Sequence, residues 1–367
     1  MFHAAFRPAL AAVALAAVVA VAGCYRGAKP ATPEQAETHV ARAMVALDRG
    51  DLDRAEAELT LALEYDPNLA TAFNGLGLVA RRRGDAKAAA HYFSRAIALD
   101  DDLAEAHSNL GVLALEAGNP AGAEEQFRAA LAIDPGYPAA RHNLARTLML
   151  RGKTTAARSQ LLRLTSADEN NADGWAELGL VELAMGHVAA AERAVRTALA
   201  IDPDHAIGLR ARADIARAGG DYEAALADYG AALDAAGAAD ADALTGRGVT
   251  YLVMGRYAPA VEDLSRAARL APNSPAARFG YGAALAATGD DEGAARELGY
   301  AIDLRAGWGA RYAEAHLLRA QSFDRLGDRD QAVAEYEAFV TEADGDPALA
   351  EEIAAARRRV HELRAGR

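Results

Sequence analysis

The sequence predicts an all-α protein, a solenoid of about nine helix–turn–helix repeats closed by a C-terminal capping helix. Three observations predict this fold class. Glycines recur at intervals close to 34 residues, an alanine stands five residues after each of these glycines, and alanine is far more common than any aromatic residue. Of the 367 residues, 52% are apolar and only 6% are aromatic, which favours thin, closely packed helices over one thick core.

The glycine series marks the turn inside each repeat. Its members are Gly50, Gly84, Gly118, Gly152, Gly186, Gly220, Gly255, Gly289 and Gly327. Glycine suits the left-handed backbone conformation that ends a helix. In six of the nine repeats the next residue is Asp or Asn, and either side chain is a good N-cap for a second helix.

The alanine series marks the buried face of that second helix. Its members are Ala55, Ala89, Ala123, Ala157, Ala191, Ala225, Ala260, Ala294 and Ala332. A small side chain at this position lets two helices approach closely. A larger apolar or aromatic residue follows four positions later in every repeat, on the same helical face, and is expected to fill the core.

Together these residues resemble the tetratricopeptide-repeat family, whose period is 34 residues. The second repeat carries the motif most fully, with Phe73, Leu76-Gly77, Ala80, Ala89, Phe93 and Ala96. The units are placed at 36–69, 70–103, 104–137, 138–171, 172–205, 206–239, 241–274, 275–308 and 313–346. The resemblance implies a right-handed superhelix whose concave face is lined by the first helix of each repeat.

Residues 1–23 differ from the rest of the chain. Ala9 to Ala22 is an uninterrupted apolar run, shorter than the ~20 residues of a membrane-spanning helix and suited to the core of a signal peptide. The run ends in Val21-Ala22-Gly23-Cys24, which resembles a bacterial lipobox, and Cys24 is the only cysteine. We expect Cys24 to be lipidated after removal of 1–23. The alternative is an ordinary cleaved signal, or an uncleaved anchor, in which Cys24 is incidental.

The lipoprotein resemblance also predicts a location. It implies a diacylglycerol and an N-acyl chain on Cys24, and hence membrane attachment through the N-terminus. Tyr25 follows the cysteine, where many inner-membrane lipoproteins have Asp, so an outer-membrane lipoprotein facing the periplasm is favoured over an inner-membrane one. Residues 24–35 are predicted to be a flexible tether, because they include two prolines and a glycine.

The C-terminal residues, 347–367, are predicted to form the capping helix. Their apolar residues follow one another at spacings of four and three, which is typical of an amphipathic helix. Terminal repeats need a cover of this kind for solubility. The arginines near the end of this helix suit its dipole, and a docking patch for an acidic partner is the alternative.

The sequence predicts no enzyme, no cofactor and no metal site. Repeats and cap occupy the chain from about residue 36 onward, there is no P-loop, and the nine histidines lack metal-ligand spacing. His39, His107, His316 and Trp175 stand at the fourth position of their repeats, where the resemblance implies packing. Acidic residues outnumber basic ones by 52 to 39, giving a net charge of −13, which disfavours nucleic acid as a partner.

A polar cluster on the first helices of repeats two to four is the predicted binding surface. Its members are Asn74, Arg81, Ser108, Asn109, His142, Asn143 and Arg146. The two asparagines at position 6 of their repeats resemble an asparagine ladder, since an amide can donate and accept hydrogen bonds at once and so hold an extended peptide. The alternative is that these side chains are simply solvated.

One insert breaks the period at Gly307–Tyr312. It is either a contact loop presenting Trp308 or a longer connection whose tryptophan packs in the joint between repeats.

The sequence as a whole predicts a scaffold that binds a protein or extended peptide in its groove and helps to assemble an envelope machine for pili, secretion or polysaccharide export. The rival hypothesis is an accessory regulator of a cell-wall or glycan enzyme.

Overall fold

The computed structural model describes residues 33–308 and 312–366, and within these ranges the chain is helical throughout, with no strand. The helices are α1 Pro33–Asp48, α2 Leu52–Tyr65, α3 Ala70–Arg82, α4 Ala86–Leu99, α5 Ala104–Glu116, α6 Pro120–Ile133, α7 Pro138–Leu150, α8 Thr154–Ala167, α9 Ala172–Ala184, α10 Val188–Ile201, α11 Ala206–Ala218, α12 Tyr222–Ala235, α13 Ala241–Val253, α14 Tyr257–Leu270, α15 Pro275–Thr288, α16 Asp291–Trp308, α17 Ala313–Leu326, α18 Arg329–Glu342 and α19 Ala350–Arg364, with a short 3-10 helix at Pro347–Leu349. The all-α repeat fold predicted from the sequence is confirmed.

The chain divides into two compact units, Met1–Ala106 and His107–Arg367. In the first unit α1 packs on α2, α2 on α3, and α3 on α4. In the second unit successive helices pack in the same way from α6 onward, and α19 closes the series against α18. There α6 also lies against α16, and Asn273 Nδ2 donates a hydrogen bond to the Glu116 carbonyl oxygen at 3.4 Å.

The turns follow from the periodic glycines. All nine have a φ between +70° and +84°, the left-handed region that a side chain would strain. Each Asp or Asn that follows one of them accepts a hydrogen bond from a backbone N–H three residues later and so caps the second helix. Each of the nine periodic alanines is fully buried. Glycine and cap together turn the chain back, and the alanine allows the two helices to touch.

Glycines inside the first helices allow a second kind of close approach. Gly77 on α3 faces the ring of Phe93 on α4, and Gly179 on α9 faces Val195 on α10. A Cβ at either glycine would overlap the facing side chain. The bulky residue of the second helix is therefore accommodated by the absence of a side chain on the first.

Two predicted boundaries differ from the observed helices. Helix α1 begins at Pro33, within the range 24–35 assigned to the tether, because proline is compatible with the first turn of a helix. Helix α16 continues to Trp308, so the first two residues of the Gly307–Tyr312 insert extend a helix instead of forming a loop. The predicted signal peptide, Cys24 and the predicted tether up to residue 32 lie outside the described residues.

The C-terminal segment covers the last repeat. Ile353, Ala356, Val360 and Leu363 of α19 are buried together with Tyr336 and Phe339 of α18. The 3-10 helix at Pro347–Leu349 precedes α19 and begins after Asp346, whose side chain accepts from the Ala348 N–H. Among residues 33–308 and 312–366, no helix is both long and apolar enough to cross a membrane.

Candidate partner-binding surface

The seven residues of the predicted cluster lie on three helices. Asn74 and Arg81 are on α3, in the first unit, and both are partly buried. The other five are on α5 and α7, in the second unit. Ser108 is only 4% exposed and is not available at the surface, which corrects its place in the cluster. Its short side chain does not reach solvent, whereas His142, at the same repeat position, is 23% exposed.

On α7, two residues of the cluster converge on an acid of the next repeat. His142 Nε2 is 3.4 Å from Glu177 Oε1 on α9, and Arg146 Nε is 3.5 Å from the same oxygen. Glu177 is buried, whereas the Arg146 side chain is 55% exposed. Burial acts to raise the pKa of Glu177, but the hydrogen bond with His142 and the charges of Arg146 and Arg210 outweigh it and lower the pKa. Glu177 is therefore ionised at neutral pH, close to the positive charge of Arg146.

The first helices of the next two repeats, α11 and α13, also carry side chains of opposite charge that face each other. Arg210 on α11 donates through Nη1 to Asp242 Oδ2 on α13 at 3.2 Å, and its Nε lies 3.8 Å from Asp240 Oδ2. Burial acts to lower the pKa of Arg210, but the charges of Asp242 and Asp240 outweigh it and raise the pKa. Its Nε is buried and has no hydrogen-bond partner among the described residues.

We call these six side chains the charged row: His142, Arg146, Glu177, Arg210, Asp240 and Asp242. They come from α7, α9, α11 and α13, the first helices of four successive repeats, with the Asp240 carboxylate at the N-cap of α13. Sequence reasoning found the first two and missed the others. Glu177 and Arg210 stand at positions 6 and 5 of their repeats, as Asn143 and His142 do in repeat four, so extending the predicted cluster to repeats five and six would have found them.

Helix α11 carries further charges one and two turns after Arg210. The Tyr229 hydroxyl on α12 donates to Asp214 Oδ1, and Arg217 Nε donates to the same hydroxyl oxygen at 3.3 Å. Burial and the neighbouring Asp214 raise the pKa of Tyr229, which keeps its hydroxyl protonated as a donor. This network fixes Asp214 and Arg217, so the charges of α11 have defined positions.

A cavity of about 540 Å³ lies between α10 and α11. Its wall is mainly apolar and includes Val195, Leu199 and Ile215, with Arg196 and Arg212 among the lining residues. Arginine stands at position 212, where repeats two to five have leucine, and its guanidinium turns away to make two hydrogen bonds with Asp228 at 2.7 Å. The space between α10 and α11 is therefore incompletely filled, and the cavity could receive an apolar side chain of a partner.

The histidines at position four of their repeats serve the helix pairs. His39 contacts Glu58, His107 contacts Gln126 and His316 contacts Glu335, in each case across the two helices of one repeat. Trp175 is partly buried, and its indole N–H donates to the Glu169 carbonyl oxygen at 2.9 Å. The part of the chain that the structure describes contains no group of three or more His, Cys, Asp or Glu that could hold a metal ion.

Comparisons with known proteins agree with the repeat geometry. A sequence profile described as "Tetratricopeptide repeat" matches residues 40–104, 74–138, 176–242, 210–275 and 245–311, and two others of the same description match 114–178 and 314–344. No curated protein matches the chain.

Solved structures are similar in fold. A tetratricopeptide repeat protein from Parabacteroides merdae is 19% identical over 69% of this chain and 99% of its own, with a TM-score of 0.56. The APC/C hetero-tetramer Cut9–Hcn1 gives 15% identity over 77% of this chain and 55% of that one, with a TM-score of 0.55. At these identities the likeness concerns the fold alone.

Proposed function

The chain belongs to the tetratricopeptide-repeat family, and from this premise we propose that it is a non-enzymatic scaffold that binds a protein or extended peptide along the charged row. Repeat folds of this kind present extended surfaces for partner binding. The observation that carries the proposal is two sets of paired charges on successive first helices, one between α7 and α9 and one between α11 and α13.

The charged row offers both signs of charge to a partner. Arg146 is 55% exposed at one end and Asp242 is 59% exposed at the other, while Glu177 and Arg210 are mostly buried between them. The buried pair is held in place by its neighbours, so a partner meets a surface that is already ordered, which lowers the entropy cost of binding. A segment carrying an acid near Arg146 and a base near Asp242 would be complementary.

We further propose that the scaffold is a lipoprotein of the bacterial outer membrane, facing the periplasm, which helps to assemble a multiprotein machine. The support is the Val21-Ala22-Gly23-Cys24 sequence and the single cysteine. One acyl chain binds a membrane only marginally, whereas several hold it firmly. A scaffold held in this way would concentrate its partners near the membrane.

Cys24→Ala tests the anchor. The variant should move from the membrane fraction to the soluble periplasm and should lose incorporation of radioactive palmitate. Tyr25→Asp, which keeps the cysteine, is the matched control; it should stay lipidated and shift toward the inner membrane. If the Cys24→Ala protein stays in the membrane fraction, the lipoprotein proposal is wrong.

Photo-crosslinking tests the binding surface. A photoreactive amino acid at Asn109 or Asn143 should give a discrete adduct in intact cells, and mass spectrometry of the adduct identifies the partner. Arg146→Glu should abolish the adduct, whereas the control Arg193→Glu, at an exposed position on α10, should not. Equal loss with both variants would argue against the charged row. An adduct with a cell-wall or glycan enzyme would favour the regulator over the assembly factor.

A further inference from the structure

One face of α1, the first described helix, is exposed, although the equivalent face of α3, the first helix of the next repeat, is buried. Helix α3 packs on the preceding α2 through Ala72, Leu76 and Val79, each at most 7% exposed. The residues 34 positions earlier, on α1, are Thr38, Arg42 and Val45. No described residue precedes α1, and Val45 is 49% exposed. The face of α1 that corresponds to the buried face of α3 is therefore open among the described residues.

This open face forms a shallow, arginine-rich recess of about 540 Å³. Its lining residues are Thr38, Ala41, Arg42, Val45, Ala46, Arg49, Asp51 and Arg54. The acid among them, Asp51, is the N-cap of α2, where it accepts from the Arg54 N–H. A second acid, Glu58, lies close enough to Arg42 and Arg54 for their charges to lower its pKa, so two of the three arginines are partly balanced by it and Arg49 is not. Three arginines thus surround an exposed valine, in a chain whose formal net charge is −13.

We propose that the open face of α1 lies against an anionic phospholipid surface. The inference rests on the proposed lipid anchor. Eight residues separate Cys24 from Pro33, where α1 begins, and at ~3.3–3.6 Å per residue they keep α1 within roughly 30 Å of a lipidated cysteine. Those residues include Arg26 and Lys29 and no acid, so the tether adds to the positive charge.

Charge and geometry suit this occupant. Basic side chains close to an anionic leaflet are attracted to it, and the attraction decays within a Debye length of about 8–10 Å, so it acts once the tether has brought the face near. Arginine can also cover apolar surface with its stem while its guanidinium reaches a phosphate. Arg42, Arg49 and Arg54 can therefore contact headgroups while Val45 lies between their stems.

Other occupants match less well. In a two-fold dimer built on this face, the same arginine-rich patch would lie on both sides of the interface, so charges of one sign would predominate there. The apolar segment 1–23 carries Arg7 and no acid, so it offers no charge complementarity to the recess. An anionic lipid surface satisfies both the arginines and the exposed valine.

A fluorophore at position 45 tests the proposal in the full-length lipoprotein. With Cys24 lipidated, Val45→Cys provides a single free thiol for an environment-sensitive label. The labelled protein is reconstituted into vesicles of phosphatidylcholine alone or mixed with phosphatidylglycerol, each containing a headgroup spin-labelled lipid as quencher. The matched control is a label at Val253→Cys on α13, where the native valine is 57% exposed.

We expect several-fold stronger quenching at position 45 than at 253 in the anionic vesicles. The difference should disappear in neutral vesicles and when Arg42, Arg49 and Arg54 are changed together to Gln. Equal quenching at 45 and 253 in vesicle-bound protein would overturn the proposal and leave the lipid anchor intact. Disulfide-linked dimers through position 45 would assign the face to a second copy. Failure of the protein to enter vesicles at all would instead overturn the anchor.

Discussion

His39 and Glu58 lie nineteen residues apart on the two helices of the first repeat, and Nδ1 of the histidine is 2.7 Å from Oε2 of the glutamate. The same nineteen-residue relation recurs in the pairs His107–Gln126, Arg141–Gln160, Arg278–Glu297 and His316–Glu335. In the second repeat it joins two aromatic rings, Phe73 and Tyr92, with centroids 6.5 Å apart. One geometry between the two helices of a repeat therefore accepts ionic, polar or aromatic pairs.

Glu58→Gln should remove an acid-sensitive contribution from the first repeat. The hydrogen bond with His39 lowers the pKa of Glu58 in the folded protein. The ionised carboxylate therefore contributes stability that is fully present above the unfolded pKa of about 4.3 and is lost as pH falls through the lower folded value. Glutamine keeps an acceptor, as Gln126 does for His107, but does not titrate.

Amide hydrogen exchange in α1 and α2 is the measurement for this substitution. Protection should differ most between wild type and Glu58→Gln near neutral pH, and the two should converge below the folded pKa of Glu58. A hydrogen bond to a charged group typically contributes ~1.5–3 kcal/mol when buried, and less where it is partly exposed, as here. A difference that stays constant with pH would contradict the assigned hydrogen bond between His39 and an ionised Glu58.

Gly77→Ala should destabilise the protein, whereas Gly230→Ala should not. A Cβ at Gly77 would overlap the Phe93 ring, which is buried and cannot move away, so we expect a loss of ~1–3 kcal/mol. A Cβ at Gly230, inside α12, meets nothing within 4 Å, and alanine there should gain ~0.5–1 kcal/mol. Urea denaturation of both variants checks this, and equal effects would mean that the facing pair is misplaced.

Two adjacent glycines separate backbone strain from packing. Gly220 has a φ of +81° and open space around its Cα, so Gly220→Ala should cost about 1–2 kcal/mol from conformation alone. Gly219 has a φ of −79°, and a Cβ there makes only ordinary contacts. Gly219→Ala should be neutral or slightly stabilising. Thermal unfolding that ranks the two variants in the opposite order would refute the assigned turn.

Arg359→Ala should loosen the capping helix. Arg359 donates to both carboxylate oxygens of Asp324 on α17, at 2.7 and 2.8 Å, and this contact lowers the pKa of Asp324. Its contribution is fully present above the unfolded Asp pKa of about 3.9 and is lost as pH falls through the folded value. Hydrogen exchange in α19 should be faster in Arg359→Ala than in Arg358→Ala, which alters an exposed neighbour, and the difference should vanish in acid.

The sequence was sufficient to predict the repeats because their determinants are local. A glycine at a left-handed turn, an Asp or Asn cap and a small residue five positions later each act within a few residues of one another. The same periodicity indicates which face of each helix is buried. All nine helix pairs and the apolar face of α19 follow from such local signals.

The candidate surface was less predictable because it depends on contacts between repeats. The neighbours of Glu177 on α9 are His142 and Arg146 of α7 and Arg210 of α11, and no spacing within one repeat indicates this. The burial of Ser108 likewise reflects side-chain length relative to the surrounding residues. Arg212 at a position usually occupied by leucine is visible in the sequence, but the cavity that it leaves depends on where its partner Asp228 lies.

The contact between α6 and α16 changes how the second unit should respond to stress. In an open array each repeat interacts only with its neighbours, so an end can fray while the middle persists. Here repeat three touches repeat eight, and Asn273 of repeat seven reaches the Glu116 carbonyl oxygen of repeat three. Repeats three to eight are therefore linked both through their neighbours and through the contact between repeats three and eight. Unfolding any one of these repeats should also break that contact. Cooperativity in the second unit should therefore exceed that of an open array of equal length.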